Sequence, residues 1–212
     1  EAMPEAMAGN ALLIQFLRKS LNRDAALERK LVALRDAVAK ALQQAAPSAA
    51  VADLAAALAE QAWQNEYIWP DDATVPDGTA AAMYRRPSTP RPEIVEEQRL
   101  AAELPEIAPI ADPVSRAVAA MYEANPYPRW THFPRRPKVD VRAALMRDFP
   151  HARAVAFEGP LAVLMPGAGT GQHPLSVATW YEDAEVTAVD LSRASLAYGK
   201  RMARHHGIDR KS

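Results

Sequence analysis

Gly167-Ala168-Gly169-Thr170-Gly171 follows directly on the apolar run Leu161 to Met165, and this is where the chain's residue types and spacing suggest chemistry. Glycines at the end of a strand let backbone amides approach a ligand closely, because no Cβ stands in between. A second short strand, Glu185 to Val189, is closed by Asp190, 23 residues beyond Gly167. A carboxylate there can accept hydrogen bonds from both hydroxyls of a ribose. The two features converge on one nucleoside. A dinucleotide fingerprint would require glycine at Gln172, and this chain carries its third glycine one position earlier, so NAD is disfavoured. The plainer alternative is a tight strand-to-helix turn without a ligand. Asp190 at the end of the following strand weighs against it.

The elements that must position these residues are short. Leu161 to Met165 reads as a strand, Pro174 to about Trp180 as a helix, Glu185 to Val189 as a second strand, and Ser192 to His206 as a second helix. Strand, turn, helix, strand, helix is a βαβα unit, which implies parallel strands joined by a right-handed crossover.

The order G-x-G-x-G followed by an acidic residue ending the next strand resembles the class I S-adenosylmethionine-dependent methyltransferases. Leu161 to Gly171 looks like the first motif of that family and Val186 to Ser192 like its second. The helix carrying Ala194, Leu196, Ala197, Lys200 and Met202 is also similar. Ala111 to Trp130 resembles a segment of bacterial members that carry tetratricopeptide or similar helical N-terminal regions.

The resemblance implies S-adenosyl-L-methionine as cofactor. It would be held by Gly167, Ala168, Gly169, Thr170 and Gly171, with Asp190 on the ribose and Leu191 against the adenine. Family members draw their acceptor pocket and any catalytic base from later strands, so the methyl acceptor and catalytic groups are unassigned. The expected fold class is therefore α/β: an all-α N-terminal region followed by an incomplete Rossmann-like parallel βαβα unit, the front half of a methyltransferase domain. A half-sheet has two apolar faces and two open edges. The helical region or a second copy of the chain, as a homo-oligomer, is expected to cover it.

Upstream, the sequence is helical. Leu27, Leu31, Leu34, Val38 and Leu42 make one helical stripe, capped by Asn22 or Asp24. A shorter helix precedes it at about Ala11 to Ser20. Another follows Pro47-Ser48, with Val51, Leu54, Leu58 and Ala62 on its buried side. Helices are also expected from Pro92 to about Glu103, from Asp112-Pro113 to Asn125 with Val114, Val118, Met121 and Tyr122 on one face, and from Asp140 to Asp148. Prolines at 126 and 128 make Asn125 to Trp130 an extended, aromatic-studded connector. The expected organisation is a helical domain over 1–69, a linker over 70–92, a helical connector over 93–150 and the methyltransferase portion over 151–212.

Bulk properties narrow the function classes. Of 212 residues, 25 are Lys or Arg and 26 Asp or Glu, so the net charge of −1 supplies no general pull toward nucleic acid or anionic membrane. Cysteine is absent, which excludes disulfides and thiolate metal sites and is compatible with the cytoplasm. No apolar run approaches a membrane span, and residues 1–9 do not resemble a signal peptide.

The basic residues Arg193, Lys200, Arg201, Arg204, His205 and His206, with Arg129, Arg135, Arg136 and Lys138, read as a solvated face and a helix C-terminus more than as a phosphate track. His173 adjoins the glycine turn and His205-His206 sits at a helix end, without the further ligands a metal requires. Tyr122, Tyr127, Arg129 and Trp130 read as packing at a junction in preference to a lid, and Trp63, Tyr67 and Trp69 as core or junction. Asp71 and Asp72 read as turn residues. Two other functions compete with the cofactor-binding methyltransferase: a non-catalytic helical interaction module with a partial nucleotide fold, and an RNA-modifying methyltransferase.

Overall fold

The computed structural model describes residues 2–44, 46–67, 78–85, 91–151, 160–182 and 184–208. It is mostly helical, with a few short parallel strands in two small sheets, and is mixed α/β. Two compact units divide it: Glu1–Pro90 with Pro128–Thr131, and Arg91–Tyr127 with His132–Ser212. No described helix is long and apolar enough to cross a membrane.

The first unit holds α1 (Ala2–Ala8), α2 (Ala11–Lys19), α3 (Ala25–Gln44) and α4 (Ala49–Gln64). Each of the last three begins on a capping side chain. Asn10 accepts from the amide of Leu13, Asp24 from those of Ala26 and Leu27, and Ser48 from that of Val51. Asp24, not Asn22, therefore caps α3. Asn22 supports it, since its side-chain oxygen accepts from the Asp24 amide and its side-chain nitrogen donates to Glu28.

The expected stripes meet in one core of Leu17, Leu31, Leu34, Val38, Leu54 and Leu58, with Leu27 and Leu42 at its margin. That core also contains ions. Arg35, fully buried, donates through Nη1 to Glu28 Oε1 (3.0 Å) and through Nη2 to Gln61 Oε1. Its burial lowers the guanidinium's pKa, and the Glu28 carboxylate opposes that shift.

Within the expected linker, Gly78–Met83 forms a 3-10 turn whose Ala80 and Met83, with Tyr84 beyond it, enter the core. At these positions apolar side chains one turn apart bury themselves. Tyr84 Oη donates to Asp36 Oδ1 (2.6 Å). Trp69, Asp71, Asp72 and the rest of 68–77 and 86–90 lie outside the described residues.

The connector splits between the units. Arg129 and Trp130 are buried in the first, where Arg129 pairs with Glu66 and lies 4.8 Å from the ring centre of Trp63. Glu66 and Tyr67 adopt left-handed φ of 56° and 57° as α4 ends, a strain for side-chain-bearing residues. The amide of Tyr67 closes that end on Ala62 O (2.9 Å).

The second unit holds α5 (Pro92–Glu103), α6 (Pro113–Ala124), β1 (Val139–Asp140), α7 (Val141–Asp148), β2 (Leu161–Pro166), α8 (Gln172–Trp180), β3 (Tyr181–Glu182), β4 (Ala184–Val189) and α9 (Arg193–His205). Strands β2 and β4 are parallel and pair along their whole length, Leu161 with Ala184 through Pro166 with Val189. The short β1 and β3 form a separate parallel pair, and Asp140 then caps α7. α8 packs against β4, and α9 against α5, α6 and α8.

No residue of β2, and no described residue of β4, is buried, and Leu164 stays 67% exposed. α6 forms where its cap and proline predict, with its apolar face in solvent. Val114, Val118, Met121 and Tyr122 are exposed, while Ala119 is the residue it buries. Ala119 and Glu123 lie one turn apart on α6, and the Glu123 carboxylate accepts from Ser192 and Ala194 at the start of α9.

Candidate functional site

The turn from 167 to 171 depends on its glycines for two different reasons. Gly167 and Gly169 adopt φ of +68° and +54°, and a Cβ built on either would project into open space. The α-carbons of both therefore face open space and are not packed against the protein. Gly171, at φ +82°, has no such freedom: its Cβ would stand 2.9 Å from the α-carbon of Gly199 in α9. The third glycine is therefore a packing residue, and the first two form an open cradle.

Asp190 lies beside that cradle. Its Oδ2 accepts from the Gly169 amide (2.8 Å) and its Oδ1 from the Ser192 amide (2.9 Å), while the Ala168 amide donates to Val189 O (3.0 Å). The in-register pairing of β2 with β4 places the two strand ends side by side and so brings turn and carboxylate together. A carboxylate offers about four lone-pair positions, so one hydrogen bond to each oxygen leaves capacity for two hydroxyls.

Leu191 is about half exposed next to it, and Thr170 is buried under the turn. His173 points to solvent at the first turn of α8. Of the predicted residues, Gly167, Gly169 and Asp190 are thus brought together at the strand ends with Leu191 following in sequence, whereas Thr170 and Gly171 are buried beneath the turn. A depression of about 450 Å3 lined by Ala8, Ile14, Arg18 and Asp53 belongs to the first unit and contains none of them.

Two residues that hold this patch were not singled out from the sequence. Gly199 sits mid-helix in α9, where glycine costs about 1 kcal/mol relative to alanine, and its own Cβ would lie 3.1 Å from Thr170 O. An isolated glycine inside a helical pattern was the available signal. Glu123 gave none. Its Oε2 accepts from Ser192 Oγ (3.0 Å) and from the Ala194 amide (3.0 Å), a pairing across 69 positions that no local spacing announces.

The helices flanking the patch are fastened elsewhere too. Gln172 Nε2 donates to His132 O (3.1 Å) and Trp180 Nε1 to Pro134 O (3.2 Å), with Arg136 over the Trp180 ring at 4.4 Å. Arg135 donates to His206 O (2.9 Å). His206 stacks edge-on against Phe133. Burial, then the charges of His205, Arg135 and His132, hold its pKa below the usual histidine value.

Three arginines of α9 are engaged as well. Arg201 pairs with the buried Glu97 (2.8 Å), Arg193 donates to Leu104 O (2.8 Å), and Arg204 stands 3.9 Å from Glu96. Among the described residues no group of His, Asp or Glu is arranged to hold a metal ion.

Neither a protein-family model, nor a curated protein, nor a solved structure matches this chain.

Proposed function

We propose that the second unit is the cofactor-binding part of a class I, Rossmann-like S-adenosylmethionine-dependent methyltransferase that acts on an acceptor still to be identified, in the cytoplasm. One observation carries the reading. The Asp190 carboxylate stands 2.8 Å from the amide of Gly169, in a turn whose first two glycines face open space. The residues fit the group tested against them. The space that a Cβ at Gly167 or Gly169 would enter is open, and with one amide on each oxygen Asp190 keeps lone pairs for both ribose hydroxyls.

When bound, S-adenosylmethionine supplies an already activated sulfonium methyl donor. The chain's own residues bind and orient. Gly167 and Gly169 let the main chain lie against the ligand, Asp190 holds the sugar, and Leu191 offers an apolar edge to the base. No catalytic side chain is required of this patch for that role.

A non-catalytic reading draws on the same geometry. Each Asp190 oxygen already accepts a backbone amide, so the carboxylate could simply staple the turn to β4. RNA modification draws less support, since Arg193 and Arg201 of α9 are committed to α5 and the residue that follows it.

Titration calorimetry with S-adenosylhomocysteine separates the first two readings. Saturable binding that is lost in Asp190→Ala, with Asp190→Asn retaining part of it, supports the cofactor site. An intact wild-type chain that gives no binding heat at millimolar ligand, confirmed by an unchanged melting temperature, leaves the staple.

A further inference from the structure

Glu123 is the penultimate residue of α6, three positions before Pro126, and it joins a hydrogen-bond series that leads into the glycine turn. The Gly169 amide donates to Asp190 Oδ2. The Ser192 amide donates to Asp190 Oδ1. The Ser192 hydroxyl donates to Glu123 Oε2, and the same oxygen takes the Ala194 amide. Ser192 is fully buried and also caps α9, accepting from the Ser195 amide (3.0 Å). Its position therefore depends on two partners, one from α9 itself and one from α6. The free amides at the start of α9 carry partial positive charge, and Glu123 presents a carboxylate to them, which gives the contact a preferred sign.

We infer that Glu123 is a positioning residue for the Asp190 carboxylate: it holds Ser192, Ser192 fixes the rotation of the carboxylate, and the carboxylate fixes the Gly169 amide. This rests on the cofactor reading above and deepens it, because it makes α6 part of the cofactor site without touching ligand. Glutamine keeps a carbonyl oxygen able to accept from both donors. Alanine keeps none. Aspartate is one methylene shorter and cannot hold both donors without a shift of α6.

The test uses the whole chain with S-adenosylhomocysteine as probe, together with the amide resonance of Gly169 recorded without ligand. In Glu123→Ala the dissociation constant rises about tenfold and the Gly169 resonance moves, as expected when a charge-assisted hydrogen bond is lost one step away. Glu123→Gln stays within about twofold of wild type, and Glu123→Asp falls between the two. A general loosening of the fold would move resonances across the unit and would not be restored by glutamine.

An unmoved Gly169 resonance and an unchanged dissociation constant in Glu123→Ala, alongside lost binding in Asp190→Ala, overturn the inference and leave the cofactor site standing. If wild type binds nothing, the cofactor reading fails, while the resonance still reports whether Glu123 governs the turn. Should Glu123→Ala fail to fold, the graded pair of Gln and Asp decides: equal affinities and equal resonances overturn the proposal.

Discussion

The first unit and the β2–β4 pair solve the burial problem in opposite ways. In the first unit four helices close over Leu17, Leu54 and Leu58 so completely that even Arg35 has no exposed surface. In the second, two strands pair in full register and yet none of their described residues is buried. A helix can bury its stripe against its neighbours, whereas a two-stranded sheet needs a layer on each face. Stability in this molecule therefore resides in helices. The candidate site sits at the ends of strands that pair with each other and pack against α8 through β4.

The sharpest way to break this contrast is paired truncation. Leu58→Ala, at a fully buried position in α4, is expected to cost about 2–5 kcal/mol in denaturant unfolding. Leu164→Ala, on the exposed strand face, is expected to cost no more than about 0.5 kcal/mol. Comparable losses would mean that β2 is buried in solution by something further.

The glycine turn sharpens the comparison at smaller scale. Gly171→Ala drives a Cβ to 2.9 Å from the Gly199 backbone at a left-handed φ. We expect a cost of about 2–3 kcal/mol in the second unit, read as a lowered unfolding midpoint. Gly169→Ala meets open space, so only the left-handed strain of about 1 kcal/mol applies. That variant should keep its fold and lose ligand affinity.

The smallest effect is in pH, and its sign differs between the units. His206 has a lowered pKa because burial and its cationic neighbours disfavour the charged ring. Its contribution is present above the ordinary histidine pKa of 6.5 and is lost as pH falls through the lower folded-state value, so the second unit weakens in mild acid. Burial, then the bond to Asp36, raises the pKa of Tyr84 above the usual 10. Its contribution is present below that pKa and is lost only as pH rises through the raised value, so the first unit weakens in strong alkali. Thermal melts of His206→Gln and Tyr84→Phe across the pH range should each flatten one limb.

The sequence showed its helices well wherever a cap and a stripe coincided, as at Ser48 with Val51, Leu54 and Leu58. It also showed both strands of the longer pair, because apolar runs bounded by glycine and Asp190 have little other reading. The short β1–β3 pair escaped, since two residues carry no period. The buried turn at Gly78–Met83 was hidden among prolines. Periodicity marked an apolar face on α6 but could not say that it would remain exposed, because exposure depends on which neighbours the fold brings to the helix. Within the candidate site the turn and Asp190 were legible as local motifs. Gly199 and Glu123 act through contacts that only the folded chain creates.

The most direct test of the cofactor patch is an amide-resolved NMR titration of the whole chain with S-adenosylhomocysteine. Saturable shifts are expected to concentrate on Gly167, Gly169, Asp190 and Leu191, with the helices of the first unit unmoved. Shifts that spare those four residues while the ligand saturates elsewhere would contradict the cofactor reading.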